Sequence, residues 1–325
     1  TETAQRVSKD HYPAPFALIE LWEEHGGNSH AMQRAEIASF VKLLQSDTAQ
    51  NLVRVFFLQQ GLKADAGGAP SGISHVHVIG GGAMGADIAA WSAIRGKTVT
   101  LQDIATAPLG RAVARAVEIA KDAHLTGIEI RDALDRLMPD PKGYGVARAD
   151  LVIEAVPENI DLKGRIYAGL KGRMKKSAIL ATNTSSLPLG ELAPKAPVQT
   201  HFAGLHFFNP VNKMQLIEVV GHKKTAKGVL DQLAAFCGEI DRLPARVADY
   251  PGFLVNRALT PYVLEAMLMI EEGVAKADID RAAVEFGMPM GPVELADRVG
   301  LDICLAVADS MAKRLDKPLA EVPEA

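Results

Sequence analysis

Residues 75–85 read His75-Val76-His77-Val78-Ile79-Gly80-Gly81-Gly82-Ala83-Met84-Gly85. A short run with β-branched residues leads straight into G-x-G-x-x-G. A helix-forming stretch follows from about Ala83 to Arg95, and Gly96 ends it. Each glycine has a physical task in this pattern. Gly80 permits a tight turn, Gly82 lets the backbone approach a pyrophosphate, and Gly85 allows close helix–strand packing. The start of the helix adds unpaired N–H groups and a partial positive charge, which suit phosphate. Asp103 closes the next apolar run, Thr98–Gln102, 23 residues after Gly80. An acid there hydrogen-bonds a ribose 2′-hydroxyl and repels the 2′-phosphate of NADP. The alternative is a glycine-rich turn that holds no ligand.

Working outward, further short apolar runs alternate with helical stretches: Asp150–Val156, Ala178–Thr182 and Ala203–Phe208. Strands separated by helices predict crossovers and a mostly parallel sheet, a Rossmann-type α/β fold. Upstream, Ile37, Phe40, Val41 and Leu44 carry the spacing that buries one helix face. Asp47 with Gln50 resembles a capping box, opening a second helix through Leu52, Phe56 and Phe57. That helix is apolar on more than one side, which suits packing against a further surface. Residues 61–74, GLKADAGGAPSGIS, read as a linker. From Pro251 onward helical spacing dominates, with Pro261 expected to kink the first helix. The predicted organisation is a helical segment with linker over 1–74, a nucleotide-binding domain over 75–249 and a partial all-α domain over 250–325.

Composition narrows the function. Lys plus Arg is 35 and Asp plus Glu is 39, a net charge of -4. Such a balance argues against a general nucleic-acid binder and against a basic membrane-surface protein. No apolar run approaches the roughly 20 residues that span a bilayer. Cys237 and Cys304 are the two cysteines, too few for a disulfide framework or a cysteine-rich metal site, and they favour a reducing compartment. The chain begins at Thr1 with no charged-then-apolar leader, consistent with a trimmed start.

Oxidising an alcohol with a nicotinamide cofactor requires a base for the hydroxyl proton, and histidine suits that task. There are nine histidines. His206 falls at the carboxyl end of a late strand, where doubly wound sheets bind ligands. By spacing alone, a satisfied turn residue is the commoner reading. Residues 215–220 read as another strand. A hairpin centred near Asn212 would set Glu218 opposite His206, close enough to orient the ring and favour its charged form. A solvent-facing Glu218 is the alternative. Asn183-Thr184-Ser185-Ser186 is either a helix cap or a set of hydroxyls for a substrate oxygen. Asn256, in the otherwise apolar 252–257 helix start, needs a structural or a ligand partner.

Together these stretches resemble the L-3-hydroxyacyl-CoA dehydrogenases, specifically the dehydrogenase part of multifunctional fatty-acid-oxidation α-subunits. The resemblance lies in VIGGGAMGADIA (78–89), VIEAVPEN (152–159), ATNTSSLP (181–188), FAGLHFFNPV (202–211), MQLIEVV (214–220), PGFLVNR (251–257) and GMPMGPVELAD (287–297). It implies NAD as cofactor and an acyl-CoA as substrate. By the same resemblance His206 is the base, Glu218 its partner, Ser185 a contact to substrate hydroxyl and nicotinamide, and Asn256 a substrate contact. The implied cofactor contacts are Gly80, Gly82, Met84, Gly85, Asp103, Val156, Pro157, Glu158, Lys163, Ser185 and Asn209. No metal is implied.

Residues 1–74 resemble, through KDHYPAP (9–15), the helices that follow an enoyl-CoA hydratase domain in those long subunits. The resemblance thus implies a hydratase domain in cis in the full-length protein and a thiolase subunit as partner. It implies bacterial cytoplasm, with mitochondrial matrix or peroxisome as alternatives. The family's helical domain ordinarily continues past the point where this sequence stops, at Ala325, so an excised middle of a longer enzyme is expected. An inert NAD-binding fragment is one alternative. Another is a β-hydroxyacid dehydrogenase that uses Lys163 or Lys171 as its catalytic lysine.

Overall fold

The computed structural model describes residues 8–312. These fall into two compact units, one up to Gly61 and one from Leu62 onward. The first holds α1 (Pro13–His25), α2 (Ser29–Leu44) and most of α3 (Asp47–Asp65). Asn28 caps α2, its side chain accepting from the Ala31 amide at 3.1 Å. The cap of α3 is Ser46, whose hydroxyl accepts from the Ala49 amide at 3.2 Å. The expected Asp47–Gln50 box does not form, because Asp47 is already the first helical residue and the reach to a free amide belongs to the residue before it. No residue of these three helices is buried. The stripe Ile37, Phe40, Val41 and Leu44 keeps its spacing but stays exposed, as do Phe56 and Phe57. A stripe is buried only against an opposing apolar surface, and spacing alone does not supply one.

The expected linker at 61–74 is also more ordered than its composition suggests. Its first residues continue α3 to Asp65. Beyond them Ile73 is buried, and Ser71 donates from its amide and hydroxyl to Glu239 at 2.7 and 2.6 Å.

The second unit is built on β1 (His75–Ile79), β2 (Thr98–Gln102), β3 (Leu137–Pro139), β4 (Leu151–Glu154), β5 (Ile179–Thr182), β6 (Phe202–Phe207), β7 (Leu216–Gly221) and β8 (Leu243–Ala248). They form one sheet in the order β3-β2-β1-β4-β5-β6-β7-β8. Every neighbouring pair is parallel except β6 with β7. The interior strands read as near-continuous apolar runs because helices cover both faces. Buried clusters sit on either face, one around Val78, Ile88 and Leu101, the other around Val152, Tyr167 and Phe202.

Helices α4 (Ala83–Ile94), α5 (Thr106–Asp122), α6 (Gly127–Arg136), α7 (Ile160–Leu170), the short α8 (Leu189–Leu192) and α9 (Lys227–Glu239) join the strands. In α5, Leu109, Ala112, Ala116 and Ile119 recur at helical spacing and are the buried face. After β8 the chain is helical: α10 (Val255–Glu271), α11 (Lys276–Phe286), α12 (Pro292–Val299) and α13 (Leu301–Ala312). Helix α10 continues through Pro261.

The strand order turns back between β1 and β4, so the loops after their carboxyl ends open a crevice. Ligands of doubly wound sheets bind at such a point.

Candidate active site

The glycine loop divides its labour as the spacing predicts. Gly80 has a φ of +109°, and a Cβ there would stand 2.6 Å from the Ala155 carbonyl oxygen. A Cβ on Gly85 would stand 1.9 Å from the Gly80 oxygen, so the helix can approach the strand only without one. Gly82 is different: nothing lies within 4 Å of its would-be Cβ, and it is exposed at the head of α4. Gly82 has no side chain to cap the helix, so amides of the first turn point outward unpaired. Unpaired amides of this kind suit an anion such as a diphosphate. Met84, half-buried, follows in the same turn.

Asp103 stands directly after β2 and reaches back to the loop. Its Oδ2 accepts from the Gly81 amide at 2.7 Å, and its Oδ1 from the Ala105 amide at 3.0 Å. The carboxylate is thereby fixed beside the glycine turn.

After β4 and β5 the chain carries a chain of paired charges. Glu154 is fully buried at the end of β4. Its Oε1 accepts from Lys163 Nζ at 2.7 Å and the Val156 amide at 2.8 Å. Its Oε2 accepts from the Tyr167 hydroxyl at 2.8 Å and the Thr182 hydroxyl at 2.9 Å. A buried carboxylate is costly unless so satisfied. Burial, with Glu154 beside it, pushes the Tyr167 phenol well above its usual range. Lys163, 1% exposed, also donates to the Val156 carbonyl at 3.3 Å and lies 3.5 Å from Glu158. Glu158 in turn holds the NTSS segment. It accepts from the Ser185 amide at 2.5 Å, the Ser185 hydroxyl at 3.0 Å and the Thr184 hydroxyl at 2.8 Å. Pro157, between Val156 and Glu158, is exposed at the crevice edge.

His206 and Glu218 face each other across the antiparallel β6–β7 pair, in the register that a turn centred at 212 requires. His206 Nδ1 is 2.7 Å from Glu218 Oε2. Glu218 is completely buried, and its Oε1 accepts from the Leu254 and Val255 amides at 2.9 Å each. One carboxylate therefore orients the imidazole and caps α10. His206 Nε2 has no hydrogen-bond partner among the described residues. The His206 ring packs against Phe208 at 4.5 Å and Phe253 at 5.8 Å between centroids. Phe253 holds a φ of +49°, a strained value for an aromatic residue, just after Gly252 at +73°. That tight turn aims the next two amides at Glu218.

Asn256 finds its partner in the site: Nδ2 donates to the Ser185 carbonyl at 3.0 Å. Asn183 accepts from the Phe207 amide at 2.8 Å, joining the end of β5 to the residue after the histidine. The NTSS segment is no helix cap. The first amides of α8 go instead to Asp249, at 2.8 Å each. Thr184 accepts from Leu187 and closes a local turn. Asn209 lies exposed beyond β6.

Thus His206, Glu218, Ser185 and Asn256 belong to one connected network at the carboxyl edge of the sheet, with Glu158 attached to it. Lys163 lies beneath, its ammonium taken by Glu154. Lys171 follows the carboxyl end of α7 and so falls at the opposite edge of the sheet. Neither lysine is placed as a reactive base. Sequence reasoning missed Glu154, Tyr167 and Thr182. An acid ending an apolar strand was the available signal, since it must find buried partners.

Comparison with known proteins agrees with this geometry. Residues 75–250 match the NAD binding domain of 3-hydroxyacyl-CoA dehydrogenase and 252–324 match its C-terminal domain. The chain is 33% identical to the fatty acid oxidation complex subunit alpha of Shewanella putrefaciens, over 97% of this chain and 46% of that one. It thus spans about half the length of the curated relatives it matches. FadB2 of M. tuberculosis superposes with a TM-score of 0.74 at 36% identity, over 77% of this chain and 91% of that one. The (S)-3-hydroxybutyryl-CoA dehydrogenase PaaH1 of Ralstonia eutropha gives 0.72 at 33% identity, over 76% and 89%. With both domains matched in sequence and the sheet matched in space, the chain belongs to the 3-hydroxyacyl-CoA dehydrogenase family.

Proposed function

We propose that the chain oxidises L-3-hydroxyacyl-CoA to 3-ketoacyl-CoA with NAD, as the dehydrogenase part of a fatty-acid-oxidation α-subunit. The observation that carries the reading is the His206–Glu218 pair, with Nδ1 engaged at 2.7 Å and Nε2 left for a ligand. Bound NAD supplies the hydride acceptor. His206 takes the substrate hydroxyl proton at Nε2. Glu218 keeps the other nitrogen protonated and stabilises the imidazolium that forms. The Ser185 hydroxyl and the Asn256 amide hold the substrate oxygen and thioester side. As C3 gives up its hydride and its hydroxyl gives up a proton to His206, the C3–O bond becomes the carbonyl of the 3-ketoacyl product.

The cofactor residues follow the fold. Gly80, Gly82, Met84 and Gly85 form the diphosphate cradle, and Asp103 takes the adenosine ribose and disfavours NADP. Val156, Pro157, Glu158, Ser185 and Asn209 line the nicotinamide side. Lys163 serves it through Glu158 and the Val156 carbonyl.

The domain reading is a helical segment with linker over 1–74, an NAD-binding domain over 75–249 and a partial all-α substrate and dimerisation domain over 250–325, of which 1–7 and 313–325 lie outside the described residues. In the full-length protein a hydratase domain in cis and a thiolase subunit are the proposed partners, and bacterial cytoplasm the compartment. No helix among the described residues is long and apolar enough to cross a membrane. The test is NADH formation on mixing the chain with NAD and L-3-hydroxyacyl-CoA esters of increasing length. Turnover supports the reading, and NAD binding without turnover supports an inert fragment instead.

A further inference from the structure

Arg242 immediately precedes β8 and is 5% exposed, yet no carboxylate lies within ion-pair distance of it among the described residues. Its pKa falls to about 10, chiefly by burial, with nearby Arg95 adding to the fall and Asp241 opposing it. Burying a guanidinium without a counter-ion costs stability, so its bonds merit inspection. Nε and Nη2 both donate to the Val211 carbonyl, at 3.2 and 2.8 Å, and Nη1 donates to the Asp241 carbonyl at 2.7 Å. The guanidinium carbon stands 3.9 Å from the centre of the Trp91 ring. Trp91 is itself tied by its indole N–H to the Ile240 carbonyl at 2.8 Å.

The two ends of this contact belong to different elements. Trp91 lies in the last turn of α4, the helix headed by the glycine loop. Val211 lies in the 208–214 loop, after His206, Phe208 and Asn209. That loop is closed on itself by the Lys213 and Met214 amides, both donating to the Pro210 carbonyl at 3.0 Å. Arg242 supplies its side-chain hydrogen bonds to the rest of the domain. We propose that Arg242 is a positioning residue that fixes the Asn209-bearing loop against the glycine-loop helix, so that both ends of a dinucleotide are met at the right spacing. The inference rests on the dehydrogenase reading for the identity of that dinucleotide.

The test is NADH titration by fluorescence on the whole chain, with thermal melting of each variant. Arg242→Met removes the donors and the buried charge while keeping the bulk. It should weaken NADH about tenfold while the melting temperature holds or rises, since apolar replacement of a buried charge is often neutral or stabilising. Arg242→Lys keeps a charge but loses the fork and the stack. It should weaken NADH about threefold without loss of melting temperature, and it keeps the test open if the Met variant does not fold. Wild-type affinity in either folded variant, or affinity lost in step with melting temperature, overturns the inference alone. Failure of the wild-type chain to bind NADH overturns it together with the dehydrogenase reading.

Discussion

Glu218 divides one buried carboxylate between His206 and the first amides of α10, with Oε2 on the ring at 2.7 Å and Oε1 on Leu254 and Val255 at 2.9 Å. The orientation of the proposed base and the anchoring of the first helix after the sheet are therefore set by one side chain. A carboxylate accepts from all three donors at once, and an amide cannot do so without turning its own N–H₂ toward one of them.

Glu218→Gln should therefore lower both activity and stability. The expected losses are about 10–100-fold in kcat and about 1.5–3 kcal/mol in unfolding free energy, the scale of a hydrogen bond to a charged group. Steady-state kinetics and urea denaturation measure these effects. Unchanged kcat in a folded variant would remove Glu218 from the mechanism.

The glycines of the loop should separate by experiment. Gly85→Ala forces a Cβ against the Gly80 carbonyl oxygen and should destabilise the fold by about 1–3 kcal/mol or more. Gly82→Ala meets no protein atom and has a φ of −67°, so its melting temperature should be that of the wild type. Its NADH affinity should fall about tenfold, because the methyl group occupies the path of the diphosphate. Equal stability loss in both variants would contradict the assigned roles.

Asp103→Ala should narrow the preference for NAD over NADP by about tenfold, once the charge that repels a 2′-phosphate is gone. The same change frees the Gly81 amide, so affinity for NAD should also fall. The ratio of kcat/KM for the two cofactors is the measurement, and an unchanged ratio counts against Asp103 as the ribose partner.

His77 gives a stability prediction independent of activity. It is fully buried on β1, between Thr100 and Gln102, and burial lowers its pKa from 6.5 to about 4. Below pH 6.5 the unfolded chain gains a proton that the native chain refuses until about pH 4. Stability should thus decline as pH falls through that window, by about 3 kcal/mol in total. His77→Gln should flatten that part of the decline relative to wild type. Parallel curves of unfolding free energy against pH would show that the buried ring does not titrate as described.

Much of this architecture is legible in the residues themselves, for reasons that differ by element. The turn at Gly80–Gly85 is readable because Gly80 and Gly85 stand where a Cβ would meet backbone. The His206–Glu218 pairing is readable because two apolar runs flank a short connection centred near residue 212, and a hairpin about that centre sets the two residues opposite each other. Strand β3 is hidden because three residues ending in Pro139 carry no period. Strand β8 is hidden because Pro244 and Arg246 interrupt it. Both lie at sheet edges, where proline is tolerated. The Glu154–Lys163–Tyr167–Thr182 cluster joins three elements, and no local pattern announces contacts of that kind. The apolar stripe of α2 is the opposite case: its spacing is plain, but whether it is covered depends on a surface that spacing cannot describe.

The most direct test of the central claim is the NADH assay applied to His206→Gln, with NADH affinity measured on the same samples. If His206 takes the hydroxyl proton, turnover of an L-3-hydroxyacyl-CoA should fall by about 10²–10⁴-fold while NADH affinity stays within about threefold of wild type. Turnover retained in that variant, or lost only in proportion to NADH affinity, would contradict the assignment of His206 as the base.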